Sequence, residues 1–151
     1  MYGKQVPLPR LQAYYGDDIA SYAYSGLVMQ SLPWIDVLVH LKDKISAFVD
    51  QDFNAVLANL YRNQNDTVGW HSDDEKELGI NPVIASLSFG QERNFTMKHK
   101  LSGEKLTIPV TCGSLLIMSG ETQQYWLHSV PRTKAKKLER INLTYRKIYS
   151  V

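Results

Sequence analysis

The chain has 151 residues and one cysteine, Cys112. A lone thiol forms no internal disulfide, which excludes a disulfide-stapled scaffold and fits a reducing compartment, cytoplasm or nucleus. No apolar run approaches the roughly 20 residues that span a bilayer, so no membrane helix is expected. Met1 to Arg10 lacks the apolar centre of a secretory signal. Internal repeats, low-complexity tracts and obvious linkers are missing as well, and the length suits one domain over 1–151 with a real core. Neither sign of charge is in large excess. The net charge of +2 does not by itself mark a nucleic-acid binder, and the distribution matters more. Lys and Arg gather near the C-terminus, at Arg132, Lys134, Lys136, Lys137, Arg140, Arg146 and Lys147.

Residues 1–31, rich in Tyr, Gly, Pro and Asp, read as loops and short strands. Residues 33–49 form the clearest helix. Trp34, Leu38, Leu41, Ile45 and Phe48 recur every three or four positions and predict one buried stripe, with Ser31 as N-cap and Pro33 in the first turn. The period then changes to two. Strands are expected at 55–62, 83–89, 94–99, 105–110, 114–118, 125–130 and 140–148, several of them separated by turn pairs such as Ser102-Gly103, Cys112-Gly113 and Ser119-Gly120. Many short strands after one helix indicate a mainly β, α+β fold, a sandwich or barrel with helical support.

His71-Ser72-Asp73 is an H-x-D triplet. In an extended segment residues two apart point to one side, so an imidazole and a carboxylate can grip one ion. A further His completes a two-His, one-carboxylate facial triad, the donor set of non-haem iron(II), and His128 is the candidate. The same donors suit zinc, and a polar surface loop accounts equally well for the triplet alone. His40 on the helix and His99 between two lysines read as solvated surface histidines.

Residues 140–146 alternate strictly. Arg140, Asn142, Thr144 and Arg146 share one face, and Ile141, Leu143 and Tyr145 the other. Such a strand is either half exposed or the polar wall of a cavity. In the second case its two guanidinium forks can clamp a dicarboxylate. Asn59 and Tyr61 share a face of an earlier strand in the same way.

Asn59-Leu60-Tyr61, His71 to Glu75, Pro82 to Gly90, Gly113 to Met118, His128 and the R-x-N-x-T-x-R of 140–146, in that order, resemble the AlkB family of nucleic-acid dealkylases over nearly the whole chain. The likeness is nearest to members that act on duplex DNA. It implies a double-stranded β-helix core at 55–148, with 33–49 as supporting helix and 1–31 as lid and hairpin. It implies iron(II) held by His71, Asp73 and His128, with 2-oxoglutarate as cosubstrate and dioxygen as oxidant. By resemblance, Arg140 takes the distal carboxylate with help from Tyr61. Arg146 and Asn59 lie toward the near carboxylate, and Asn142 and Thr144 line the pocket. The implied reaction is oxidative dealkylation of N-alkylated bases, such as 1-methyladenine and 3-methylcytosine. It releases succinate, carbon dioxide and, from a methyl lesion, formaldehyde.

The likeness also implies substrate contacts. Tyr22, Ala23 and Tyr24 match a lid whose ring stacks on the flipped base, and Tyr2, Gly3 and Lys4 match the end of a hairpin that fills the vacated stack. Family members carry a further segment ahead of this point, so a shortened hairpin is expected. Asp74, or its rival Glu75, accepts from the exocyclic amine of the base, and Arg132, Lys134, Lys136 and Lys137 grip phosphates. The expected partner is alkylated duplex DNA, bound by a monomer. The alternatives are the same chemistry on RNA or single-stranded DNA, a non-catalytic nucleic-acid-binding barrel, and a zinc hydrolase.

Overall fold

The computed structural model describes residues 9–20, 22–24 and 27–149, leaving aside the side chains of 19, 22–24 and 27–29. The alternating segments form two facing antiparallel sheets. The first has the order β1 (Leu11–Gly16), β4 (Ala55–Tyr61), β11 (Arg140–Arg146), β6 (Ile84–Gly90), β9 (Leu115–Met118). The second runs β5 (Val68–His71), β10 (Trp126–Val130), β7 (Arg93–His99), β8 (Lys105–Val110). A two-stranded ribbon, β2 (Tyr22–Tyr24) with β3 (Leu27–Met29), stands apart from both. This is the mainly β jelly-roll, the expected double-stranded β-helix, supported by α1 (Asp36–Val49) and the single turn α2 (Thr122–Tyr125).

Strand β11 lies between β4 and β6, so both of its hydrogen-bonding edges are paired. Its apolar residues Leu143 and Tyr145 join Val56, Ala85 and Leu87 beneath Leu38 and Ile45 of α1, and the Tyr145 hydroxyl donates to the Leu38 carbonyl at 2.9 Å. Burying a side chain of that size stabilises the fold by about 1.5–3 kcal/mol. The opposite face of β11 looks between the sheets. There Tyr61, Ile84, Phe95, Met97, Val110, Met118 and Val130 form a second core, which closes one end of the space and leaves the rest polar. A third cluster, with Tyr14, Ala55, Leu57, Leu78 and Ile148, joins the ends of β1, β4 and the chain beyond β11. Asn54 locks that junction, donating to the Ile148 carbonyl at 2.9 Å and accepting its N–H at 2.7 Å. Gly90 ends β6 at φ +86°, and a Cβ there would stand 2.5 Å from the Glu139 carbonyl oxygen, so the close return into β11 requires glycine.

Three local expectations are corrected. The helix begins at Asp36, after Pro33, with Ile35 at the N-cap and no side-chain cap. Ser31 instead donates to the Asp17 carbonyl, and the Trp34 indole to the Asp17 carboxylate. The two residues therefore anchor the lead-in and do not start the helix. The buried stripe ends on Val49, while Phe48 is 80% exposed, because from Leu38 and Ile45 the helical angle carries position 48 to the margin of the stripe. Strand β5 was not among the expected strands, since Gly69 and the exposed Trp70 interrupt its alternation.

Candidate functional site

Strand β5 is the edge of the second sheet, and its last residue is His71. The ladder sets His71 directly opposite His128 of β10, with ring centroids 4.1 Å apart. His71 Nδ1 lies 2.7 Å from the Gly69 carbonyl. A carbonyl only accepts, so Nδ1 is the donor in this contact and Nε2 is the nitrogen left to face Asp73. That Nε2 is 3.6 Å from Asp73 Oδ1. One donor atom from each of His71, Asp73 and His128 lies within 4.8 Å of the others.

Asp73 is 1% exposed. Arg146 on β11 holds its Oδ2 through Nη2 at 3.0 Å and Nε at 3.3 Å, while Oδ1 has no hydrogen-bond partner. Burial alone would raise this carboxyl. The charges of Arg146, His128 and His71 outweigh burial and hold it below the usual carboxylate range. His128 is buried, stacks on Phe95 at 5.3 Å and has no partner for Nδ1. Burial pushes its pKa down to about 4, which keeps the imidazole neutral at physiological pH.

The same cavity is lined by the inward face of β11 and β4. Arg140 is 2% exposed; its Nη2 donates to Ser88 Oγ at 2.9 Å, and its Nε and Nη1 have no partner. Among the described residues no carboxylate lies within ion-pair distance of it. Its guanidinium packs on the Tyr61 ring at 5.0 Å, and Arg93 lies over that ring at 5.5 Å. Between Arg140 and Arg146 runs a polar ladder. Thr144 Oγ1 donates to Asn142 Oδ1 at 2.7 Å, Asn59 Nδ2 donates to the same oxygen at 3.4 Å, and Asn142 Nδ2 donates to Ser86 Oγ at 2.6 Å.

The profile of the 2OG-Fe(II) oxygenase superfamily matches residues 1–146. The chain belongs to that superfamily. Among similar proteins are mouse alpha-ketoglutarate-dependent dioxygenase alkB homolog 3, 44% identical over 95% of this chain and 53% of the relative, and human DNA oxidative demethylase ALKBH2, 42% identical over 98% of this chain and 60% of the relative. The plant ALKBH2 of Arabidopsis thaliana is 34% identical over 97% of this chain and 55% of its own length. The chain thus spans about half the length of the curated relatives it matches. A solved structure of OsALKBH1 superposes with a TM-score of 0.68 over 93% of this chain and 78% of the other, at 19% identity, a likeness of fold.

The cavity gathers His71, Asp73, His128, Asn59, Tyr61, Arg140, Asn142, Thr144 and Arg146. Other expected residues lie elsewhere. Asp74 is exposed and Glu75 half buried, and neither lines the cavity; burial pushes the Glu75 carboxyl up. Arg132, Lys134 and Lys136 are exposed on the loop after β10, with Lys137 half buried beside them. Arg132 and Lys134 flank a surface hollow with Gln64 and Asn65. Tyr2, Gly3 and Lys4 lie outside the described residues, as do the side chains of Tyr22, Ala23 and Tyr24, whose backbone forms β2. His99 is not a free surface group. Its Nδ1 accepts the N–H groups of Leu101 and Ser102, and its ring stacks on Tyr125.

Several contributors escaped the sequence. Arg10 reaches the cavity and donates from Nε to Asn59 Oδ1 at 3.0 Å, and nothing local distinguishes it. Ser86 and Ser88 alternate on β6 with apolar neighbours, a pattern that places them on the inward face. Gln123 lies in one turn of helix too short for any period to show.

Proposed function

We propose that this chain is an oxidative dealkylase of DNA bases, a single domain over 1–151 that works as a monomer on alkylated duplex DNA in the nucleus or cytoplasm. One observation carries the reading. A buried guanidinium with two unpartnered donors, that of Arg140, lines the same cavity as a His, Asp, His set whose Asp73 Oδ1 is also unpartnered. Unpaired polar atoms at such depth cost about 1–3 kcal/mol each, so the cavity is built for an occupant. Neutral imidazoles and an ionised carboxylate fit iron(II), and a guanidinium with free donors fits the far carboxylate of a diacid. The printed names of the relatives, a dioxygenase and a DNA oxidative demethylase, support the same chemistry.

His71, Asp73 and His128 would hold iron(II), and Arg140 with Tyr61 would take the distal carboxylate of 2-oxoglutarate. Asn59, Asn142, Thr144 and Arg146 form the polar wall at its near end. When bound, iron(II) supplies the oxidation of the alkyl carbon by dioxygen, coupled to decarboxylation of 2-oxoglutarate to succinate. The protein holds the reactants and keeps water out. Arg146 fixes one carboxylate oxygen of Asp73 and leaves the other turned to the His71 imidazole. A stacked base cannot reach this cavity, so the target is flipped, at a cost of a few kcal/mol that is lowest for a damaged base. We assign the stacking platform to Tyr24 with Tyr22 and Ala23, and the vacated space in the duplex to Tyr2, Gly3 and Lys4. Asp74 or Glu75 meets the exocyclic amine, and Arg132, Lys134, Lys136 and Lys137 meet phosphates.

The test is formaldehyde release from methylated duplex DNA, single-stranded DNA and RNA, with iron(II), with and without 2-oxoglutarate. Wild type should release formaldehyde only with 2-oxoglutarate, and fastest from the duplex. Arg140→Ala should lose most turnover, with partial rescue at high 2-oxoglutarate. Turnover that ignores 2-oxoglutarate contradicts the assignment, and preference for single strands or RNA redirects the substrate.

A further inference from the structure

Four polar contacts converge on α2 and the residue that leaves it. The Asp73 N–H donates to Gln123 Oε1 at 2.8 Å. Ser72 Oγ donates to the Trp126 carbonyl at 2.7 Å. Lys100 Nζ donates to the Gln123 carbonyl at 2.9 Å, and the Lys100 N–H donates to the Tyr125 carbonyl at 2.8 Å. The Gln123 side chain is 3% exposed, with Nε2 at 3.5 Å from Met118 Sδ. A backbone N–H only donates, so the amide must turn its oxygen toward Asp73.

We propose that Gln123 is a positioning residue for the metal centre. It anchors the backbone at Asp73, so that its carboxylate stays within reach of both imidazoles before any ion arrives. The inference rests on the reading of His71, Asp73 and His128 as ligands. The paired register of β5 ends at His71, so no ladder hydrogen bond fixes residue 73. Arg146 holds one oxygen of its side chain, and a group held at one end only can still pivot. The bond from Gln123 supplies the second anchor and sets the direction of Oδ1. Because α2 leads straight into β10, this anchor also ties the H-x-D segment to the strand that carries His128. Lys100, in the turn after β7, braces α2 from the far side. Residues that orient metal ligands in this way typically contribute 10–100-fold to metal affinity.

The experiment is a cobalt(II) titration of the metal-free full chain, followed by visible d–d absorption, with thermal melting in parallel. Wild type is compared with Gln123→Met, which keeps the shape without a good acceptor, and Gln123→Glu, which keeps an oxygen acceptor. Gln123→Met should bind cobalt(II) about 10–100-fold more weakly, with an altered d–d spectrum and a melting temperature near wild type. Gln123→Glu should recover most of the affinity and the spectrum. A Gln123→Met protein with wild-type affinity and spectrum overturns the proposal. Hydrogen exchange at the Asp73 amide of the metal-free wild type needs no variant: slow exchange is expected, and the rate of an open loop amide overturns it as well. Wild type that binds no cobalt(II) refutes the ligand assignment, and the proposal with it, a result distinct from a tight-binding Gln123→Met.

Discussion

His71 and His128 are Cα partners across β5 and β10, and their rings approach to 4.1 Å. The ladder is irregular immediately beyond this pair, between His128 and Val130. The pairing therefore matters for the site, because a slip of one residue would turn one imidazole to the outer face of the sheet. Asp73 then arrives from the loop that follows His71, and Arg146 meets it from the opposite sheet at 3.0 Å. The candidate metal centre is thus a contact between the two sheets, made where the hydrophobic fill of the second core gives way to polar side chains.

Stability of the metal-free protein should depend on pH through His128. Burial holds its pKa at about 4 in the fold, against roughly 6.5 in an unfolded chain. Between those values the unfolded chain takes up a proton that the folded protein refuses. The stability is fully present above about pH 7 and declines as pH falls toward 4, by up to about 3 kcal/mol. Thermal melting of the metal-free protein from pH 8 to pH 4 checks this. In His128→Gln the slope of melting temperature between pH 7 and pH 4 should be shallower than in wild type; an equal slope contradicts the assignment.

The phase of α1 is open to a direct comparison. Ile45→Ala removes a core side chain beneath which Tyr145 and Val56 pack, and should cost about 2–5 kcal/mol. Phe48→Ser, at a position 80% exposed, should change stability by no more than about 0.5 kcal/mol. Urea denaturation separates the two outcomes. Equal losses at both positions would restore the stripe expected from the sequence.

That helix also shows where sequence reading stops. Period alone marked 33–49, but Pro33, Trp34 and Ile35 turned out to be an extended lead-in tied to Asp17, because side-chain bonds across seventeen or fewer residues are invisible to a helical wheel. Strand β11 was legible for the opposite reason. Its alternation is complete, and its polar face was the cavity wall, as the resemblance implied. The gathering of His71, Asp73 and His128 depends on the facing register of β5 and β10, which no local pattern encodes. Arg10 and Gln123 enter the site through contacts across long stretches of chain, so composition and spacing carry no sign of them, whereas the alternation of β6 does mark the inward face that carries Ser88.

The exposed basic loop should govern the salt dependence of DNA binding. Changing Arg132, Lys134 and Lys136 together to Ala should weaken binding across sequences and make the slope of log affinity against log salt shallower by about 2–3 units. Fluorescence anisotropy on labelled duplex between 50 and 200 mM salt, on the order of the range where such slopes are measured, reads this directly. An unchanged slope would remove the loop from the interface.

The proposed chemistry requires one cavity to hold a metal ion and a 2-oxo diacid side by side. Anaerobic addition of iron(II) and 2-oxoglutarate to the metal-free protein, followed by visible absorption, tests it most directly, since a 2-oxo acid chelated to iron(II) absorbs in the visible. Wild type should develop the band, Asp73→Ala should not, and Arg140→Ala should need far more 2-oxoglutarate to reach it. A band that survives unchanged in Asp73→Ala, or that never forms in wild type, would contradict the account.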